Sequence, residues 1–257
     1  MSEDFNKDAL ESLDCFEPEL RPFINYLLQD LWEIGSSSSK VLEMLKRNYL
    51  HTQQLKILDI GCGKGAISIP IVKEIDSTVY GIDAMPEFIE AAKGKAKEFG
   101  VEKFCTFVNG DASKIINNLK GFNLIMVASV GPILGNISQT LSNLEGCLSN
   151  NGYVLLDNCF LPDDAVSDYT RCLRESEFYK QISESNFSVI DKLIQSPDDT
   201  TESDDYIYFK IENRVKELSV QHPDKKELFE SYLAMQRKEN YALENDLQCI
   251  MILLQKK

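Results

Sequence analysis

The stretch LKILDIGCGKGAISIPIVKEI, residues 55–75, runs an apolar segment into Gly61, Gly63 and Gly65 and then into a helical pattern. A short apolar strand that turns through glycines into a helix has few ways of burying both elements. The favoured one is a crossover to a parallel neighbour, with the helix lying on the sheet. The chain repeats this unit. β-rich runs at residues 56–60, 78–82, 105–108, 122–128, 152–157 and 187–194 alternate with helical patterns such as 86–99 and 137–148. The alternation predicts an α/β fold with a mostly parallel sheet and helices on both faces. The charge-free runs 124–127 and 154–156 suit burial on both sides.

Residues 1–49 read as helical instead, with Phe23, Tyr26, Leu27 and Leu31 at helix spacing. Within them, Gly35 and Ser36–Ser39 break one helix and start another, with a serine as N-cap. Beyond Ile194, SPDDTTESDD, residues 196–205, reads as a solvated acidic linker. Tyr208, Ile211, Val215 and Leu218 then follow at helix spacing, His222-Pro223 interrupts them, and a second helix is expected from about 224 to 244. The charge-free CIMILLQ, residues 249–255, reads as a last buried strand. Two helices therefore stand between the last two strands.

A chain of 257 residues with 43% hydrophobic residues has the length for one large α/β domain with appendages. Its formal charge of -14 weighs against a nucleic-acid partner, because phosphate backbones are bound by basic surfaces. The seven cysteines (15, 62, 105, 147, 159, 172 and 249) contain no CxxC pair. They read as reduced thiols of a cytoplasmic protein, not as a disulfide framework or zinc site. The first twenty residues are acidic and lack the apolar stretch of a signal peptide, and no apolar run has the length to span a membrane.

A parallel α/β sheet binds ligands beyond the carboxyl ends of its strands. Residues 61–65 lie in such a loop, where glycines let the backbone approach a ligand closely. GCGKGA alone also satisfies the dinucleotide version of this pattern. Asp83, 83 − 61 = 22 positions after the first glycine, suits hydrogen bonding to both hydroxyls of a ribose. Asp59 discriminates further. A carboxylate beside the loop favours a ligand with a positively charged end and repels a pyrophosphate.

LDIGCGKG resembles the first motif of the class I S-adenosylmethionine-dependent methyltransferases, an acidic residue followed by GxGxG. YGIDAMPEFIEAA resembles their second motif, and VNGDAS, residues 108–113, their adenine-contacting loop. FNLIMVASVG and GYVLLDN fall where the family has its fourth and fifth strands, so the resemblance runs over residues 55–194. It implies a Rossmann-like seven-stranded mostly parallel sheet with an antiparallel last strand, which CIMILLQ fits. It also implies S-adenosyl-L-methionine as cofactor. Carried over by position, Asp59, Gly61, Cys62, Gly63 and Gly65 would hold the methionine part, with Cys62 a small apolar filler. Asp83 would hold the ribose, Ala84 and Met85 would pack beside the adenine, Asp111 would accept from its amino group, and Ala112 would give a backbone contact. Ser129 would stand near the transferred methyl. Asp111 also suits the cap of a helix at 113–119.

Methyl transfer from a sulfonium is an in-line displacement that needs alignment and exclusion of water, and a general base only for some acceptors. LLDNCFLPDD, residues 155–164, resembles the Asp-Asn pair that holds magnesium in catechol-type O-methyltransferases. The region after the fourth strand, ASVG, lacks the carboxylate that completes that site, so no metal is expected. His222 reads either as a base or as a surface turn. Tyr26, Trp32, Asn158, Tyr206, Tyr208 and Tyr232 read as acceptor-pocket candidates or as core. The expectation is a methyltransferase core at 50–195 plus 246–257, an N-terminal helical lid at 1–49, and a helical insertion at 196–245 capping the site of a small-molecule acceptor. The rivals are a nicotinamide-dependent oxidoreductase and a non-catalytic S-adenosylmethionine-binding protein. No catalytic residue is assigned.

Overall fold

The structure is a computed structural model and describes residues 10–257. Its strands are β1 (Leu55–Ile60), β2 (Ser77–Asp83), β3 (Cys105–Asn109), β4 (Phe122–Ala128), β5 (Leu148–Leu161), β6 (Leu173–Arg174), β7 (Phe187–Ile194) and β8 (Gln248–Lys256). The helices are α1 (Ile24–Leu27), α2 (Ser38–Arg47), α3 (Ser68–Glu74), α4 (Pro86–Glu98), α5 (Ala112–Ile115), α6 (Ile137–Glu145), α7 (Glu175–Ser183), α8 (Pro197–Gln221) and α9 (Lys226–Asn245). The sheet order is β3-β2-β1-β4-β5-β8-β7, and β6 pairs with β5 as a two-residue eighth strand. The first five strands run parallel, whereas β8 lies antiparallel between β5 and β7. The strand order reverses between β1 and β4, and such a reversal opens a crevice at the strands' carboxyl ends.

Strand side chains alternate between two apolar layers, as pleating demands of a sheet buried on both faces. Leu58, Ile60, Ile125, Val154, Leu156, Ile250 and Ile252 meet Ile137, Leu141 and Leu144 of α6 and Phe178 and Ile182 of α7 on one face. On the other, Ile57, Leu124, Met126, Leu155, Met251 and Leu253 meet Val41, Met44 and Leu45 of α2 and Ile71 of α3. β5 runs further than residues 152–157, since its pairing with β8 continues to Phe160.

Two regions differ from the sequence reading. The acidic run 196–205 is not a linker, because α8 begins at Pro197 and runs 25 residues. Proline is well suited to the first helical position, and acidic residues favour the positive end of a helix dipole. The leading segment is less helical than its spacing suggests. It holds a 3-10 helix, Pro18–Phe23, with Pro22 inside it, then the four-residue α1, and no further helix until Ser38. Proline removes the donor that would carry an α-helix through this stretch.

The leading segment and the late helices bury one another in a third cluster. Leu20, Ile24, Leu27, Leu28 and Leu31 pack with Ile211, Val215 and Leu218 of α8, Phe229 and Tyr232 of α9, and Phe88 of α4. Polar contacts fix the register. Arg214 donates to both carboxylate oxygens of Asp30 at 2.7 and 2.8 Å, and the Tyr26 hydroxyl donates to Glu217 at 2.7 Å. Gln236 and Arg171 both donate to the buried Asp14.

Candidate functional site

β1 ends in a loop whose amides turn back onto β2: Gly61 and Cys62 both donate to the Ile82 carbonyl, at 2.8 and 3.0 Å. Gly61 sits at φ +69°, and a Cβ there would stand 2.6 Å from a Val130 methyl carbon, so only glycine lets the β4 end close on the loop. Asp83, the last residue of β2, organises the other side. Its Oδ2 accepts from the Gly63 amide and its Oδ1 from the Met85 amide, each at 2.8 Å. Burial pushes the Asp83 carboxyl above its ordinary range, and these amides counteract the shift. Beyond β3, Asp111 caps α5 by accepting from the Ser113 amide at 3.0 Å, and it pairs with Lys114 at 3.0 Å.

These loops surround a cavity of about 320 Å³. Gly61, Gly63, Asp83, Ala84, Met85, Asp111, Ala112 and Ser129 all line it. A Cβ on Gly63 would meet nothing within 4 Å, so the backbone there faces open space. The cavity has a second wall that sequence reading missed: Ser12, Leu13 and Ile34 from the leading segment, Phe88 from α4, and Val130 and Ile133 beyond β4. Val130 and Phe88 lie within the quoted motifs FNLIMVASVG and YGIDAMPEFIEAA, which is a usable signal. Nothing local marks Ser12, Leu13 or Ile34, because tertiary packing alone brings them here.

Other expected residues lie elsewhere. Cys62 and Gly65 do not line the cavity. Gly65 packs toward Ile69 and Phe107, and Cys62 is buried among Ile69, Ile89 and Phe107. Asp59 does not line it either. Alternation along β1 turns its side chain toward α3, where it accepts from the Ser68 hydroxyl at 2.5 Å. Burial pushes Asp59 up to about 7, with Ser68 opposing. Tyr26 serves the Glu217 contact, and Trp32 stacks on Phe99 while its indole donates to the Lys64 carbonyl at 3.0 Å. Tyr232 is buried with its hydroxyl on the Leu13 carbonyl, Tyr208 lies under Arg237, and Asn158 is exposed and accepts from the Cys159 amide. No described residue of α8 or α9 lines the cavity: of the aromatic candidates there, Tyr232 belongs to the buried core, Tyr208 is half-buried and Tyr206 is exposed. His222 sits edge-on to Phe23 in the third cluster.

The leading segment is fastened to the glycine loop. The Lys64 ammonium, buried in the loop, donates to the carbonyls of Leu28 at 2.5 Å and Leu31 at 2.7 Å. Burial lowers Lys64 to about 8, with Asp30 opposing. Gly35, at φ +102°, crosses the end of β4 so closely that a Cβ would stand 2.7 Å from that of Ser129. The expected serine N-cap of α2 is replaced. Ser37 makes no capping bond, and Glu33 accepts from the Ser38 amide at 3.2 Å and from its hydroxyl at 2.8 Å.

Behind Ser129 lies Asp157. The Ser129 amide donates to the Asp157 carbonyl at 3.1 Å, and the Ser129 and Ser36 hydroxyls share a hydrogen bond at 2.7 Å. The carboxylate accepts from Gln195 through Oδ1 at 3.0 Å, and Oδ2 has no hydrogen-bond partner among the described residues. Burial pushes Asp157 up from 3.8 to about 6, against the pull of the Ser36 hydroxyl, Gln195 and the Lys40 charge. The folded protein therefore holds this proton more tightly than the unfolded chain. The stability it contributes is full below the ordinary carboxylate value and is lost as pH rises through about 6. Replacing Asp157 with asparagine should remove this dependence. Urea titrations should show the variant gaining about 2 kcal/mol on the wild type between pH 4 and pH 8. A difference constant with pH would refute the assignment.

Among the described residues, no group of three histidine, cysteine or acidic side chains has the arrangement to hold a metal, and no helix is long and apolar enough to cross a membrane. A family described as a methyltransferase domain matches residues 51–241. The ubiquinone biosynthesis O-methyltransferase of Rickettsia felis is 26% identical over 58% of this chain and 67% of its own length. The chain thus spans about two thirds of the length of such curated relatives. The 2-heptyl-1-hydroxyquinolin-4(1H)-one methyltransferase of Mycobacteroides abscessus is 34% identical over 34% of each chain. Among solved structures, a SAM-dependent methyltransferase from Geobacter sulfurreducens, in complex with S-adenosyl-L-homocysteine, superposes with a TM-score of 0.76. It covers 92% of this chain and 98% of that one at 17% identity, so the likeness is one of fold.

Proposed function

The chain belongs to the methyltransferase-domain family, and from that premise we propose that it transfers the methyl group of S-adenosylmethionine to a small-molecule acceptor by in-line displacement. One observation carries the reading: a single cavity at the carboxyl ends of β1 to β4 is lined by Gly61, Gly63, Asp83, Asp111 and Ser129 together. The cradle fits the cofactor. Gly63 offers open backbone, and Asp83 keeps acceptor capacity for ribose hydroxyls beside its two amide bonds. Asp111 and Ala112 suit the adenine, and Gly61 the methionine part. When bound, the cofactor supplies a methyl group on a positively charged sulfur.

The protein's own part is alignment and exclusion of water. Ser129, Val130 and Ile133 line the cavity at and beyond the end of β4, and Ser12, Leu13 and Ile34 close over it. This wall is apolar apart from two hydroxyls and carries no charge, which supports a neutral, largely apolar acceptor. The names of the Rickettsia and Mycobacteroides relatives point to acceptors of that kind. The leading segment acts as the lid, with residues 196–245 as the buttress behind it and residues 50–195 plus 246–257 as the core. The acidic surface supports an acceptor other than nucleic acid, and the scattered thiols support a cytoplasmic setting.

A thermal-shift panel tests the cofactor. S-adenosylhomocysteine at a hundredfold its dissociation constant should stabilise the protein by about 2.7 kcal/mol, whereas NAD and NADP should leave it unchanged. Stabilisation by NAD alone would reverse the reading. Product formation in an acceptor library then separates an enzyme from a silent binder.

A further inference from the structure

Three of the seven cysteines stand side by side on three adjacent strands or their immediate extensions. Cys159 of β5 is the direct cross-strand partner of Cys249 of β8. On its other side, β6 pairs in parallel with β5, Phe160 with Leu173, which sets Cys172 beside Cys159. The Cys159 and Cys172 sulfurs are 2.9 Å apart, and both residues are partly exposed. Neighbouring strands lie about 4.7–4.9 Å apart. That is inside the span of about 4.4–6.8 Å between Cα atoms that a disulfide bridges, so a bond here requires no strand to move.

We propose that Cys159 and Cys172 form an oxidisable dithiol, a modification site for peroxide-class oxidants, whose disulfide fastens the lid over the cavity. Cys172 is the attacking group. The hydrogen bond from Cys159 lowers its thiol below the ordinary value and the Arg171 charge helps, while burial opposes; Cys159 moves the other way. The Cys172 thiolate attacks a peroxide oxygen, breaking the O–O bond; the sulfur becomes a sulfenic acid and the departing hydroxide takes a proton to leave as water. The Cys159 sulfur then attacks the Cys172 sulfur, forming the S–S bond and releasing a second water with the Cys159 proton. The two thiols lose two protons and two electrons, and the peroxide takes up both.

The coupling to the lid runs through the next residue. Arg171 donates to the Asp14 carboxylate and, at 3.2 Å, to the Glu11 carbonyl, and Ser12 and Leu13 between them line the cavity. Tyr169, two residues further back, donates to Glu239 of α9 at 2.7 Å. A bond at Cys172 ties this anchor to β5 and should retain whatever the lid covers.

Full-length protein treated with hydrogen peroxide, digested without reduction and analysed by mass spectrometry should yield a Cys159–Cys172 cross-linked peptide. That peptide should persist in Cys249→Ser and vanish in Cys172→Ser. Stopped-flow release of S-adenosylhomocysteine should be several-fold slower after oxidation of the wild type, reversible by dithiothreitol, and unchanged by peroxide in Cys172→Ser. A Cys159–Cys249 peptide, or overoxidised thiols without a cross-link, would overturn the site. A cross-link with unaltered release would overturn its link to the lid. Only the release measurement leans on the cofactor reading; the peptide map does not.

Discussion

Replacing Asp83 with alanine should lower the affinity for S-adenosylhomocysteine at least tenfold, about 1.4 kcal/mol, because in the proposed site one side chain does two jobs at the centre of the cradle. In the proposed site its carboxylate would accept from a ribose, and it already ties the Gly63 and Met85 amides into a common frame. Alanine removes the ligand contact and leaves two amides without their acceptor. Asp83→Asn should fall between the two, since its amide keeps one accepting oxygen and turns a donor toward the other N–H. Calorimetry on folded variant protein reads the effect directly. Wild-type affinity in Asp83→Ala would remove this residue from the site.

The second large effect is on stability, at a residue that does not line the cavity. Phe229→Ala should cost about 3–5 kcal/mol, the range for deleting a buried phenylalanine. Its ring is fully buried, packs edge-on to Phe23 at 5.0 Å, and joins α9 to the leading segment within the third cluster. For a domain of this size each kcal/mol shifts the melting temperature by roughly 2–4 °C, so a loss of about 10 °C is expected by calorimetry. A change below about 2 °C would mean that the late helices are a loose appendage and that the third cluster contributes little.

The parts legible in the sequence were those governed by local rules. Strand positions follow from short apolar runs between turns, and the glycine loop and Asp83 from the needs of a strand–helix turn near a ligand. What escaped depends on where distant segments meet. Ser12 and Ile34 have no sequence context that marks a cavity wall; the packing of residues 20–31 on α8 and α9 puts them there. Tyr26, Tyr208 and Tyr232 show the converse, since helix spacing identifies a buried or half-buried side and not what that side touches. The position of Asp59, two residues before Gly61, points to the ligand, but the pleat of β1 turns its side chain under α3. The start of α8 was obscured because an acidic, serine- and threonine-rich run suits a solvated loop and a helix N-terminus equally well.

The position of β8 has a consequence for how the molecule is made. Residues 248–256 fill the gap between β5 and β7, so in a growing chain both strands present unpaired edges until that segment emerges, after some fifty residues of helix have been synthesised. The sheet therefore closes by insertion of a late strand, a step of long sequence separation and correspondingly slow search. During that interval β5, whose run Val154, Leu155 and Leu156 is buried in the finished fold, is open to pairing with other chains. Yield in the cell should thus depend on how fast the last segment arrives and on chaperones that shield the open slot, apart from any property of the finished cavity.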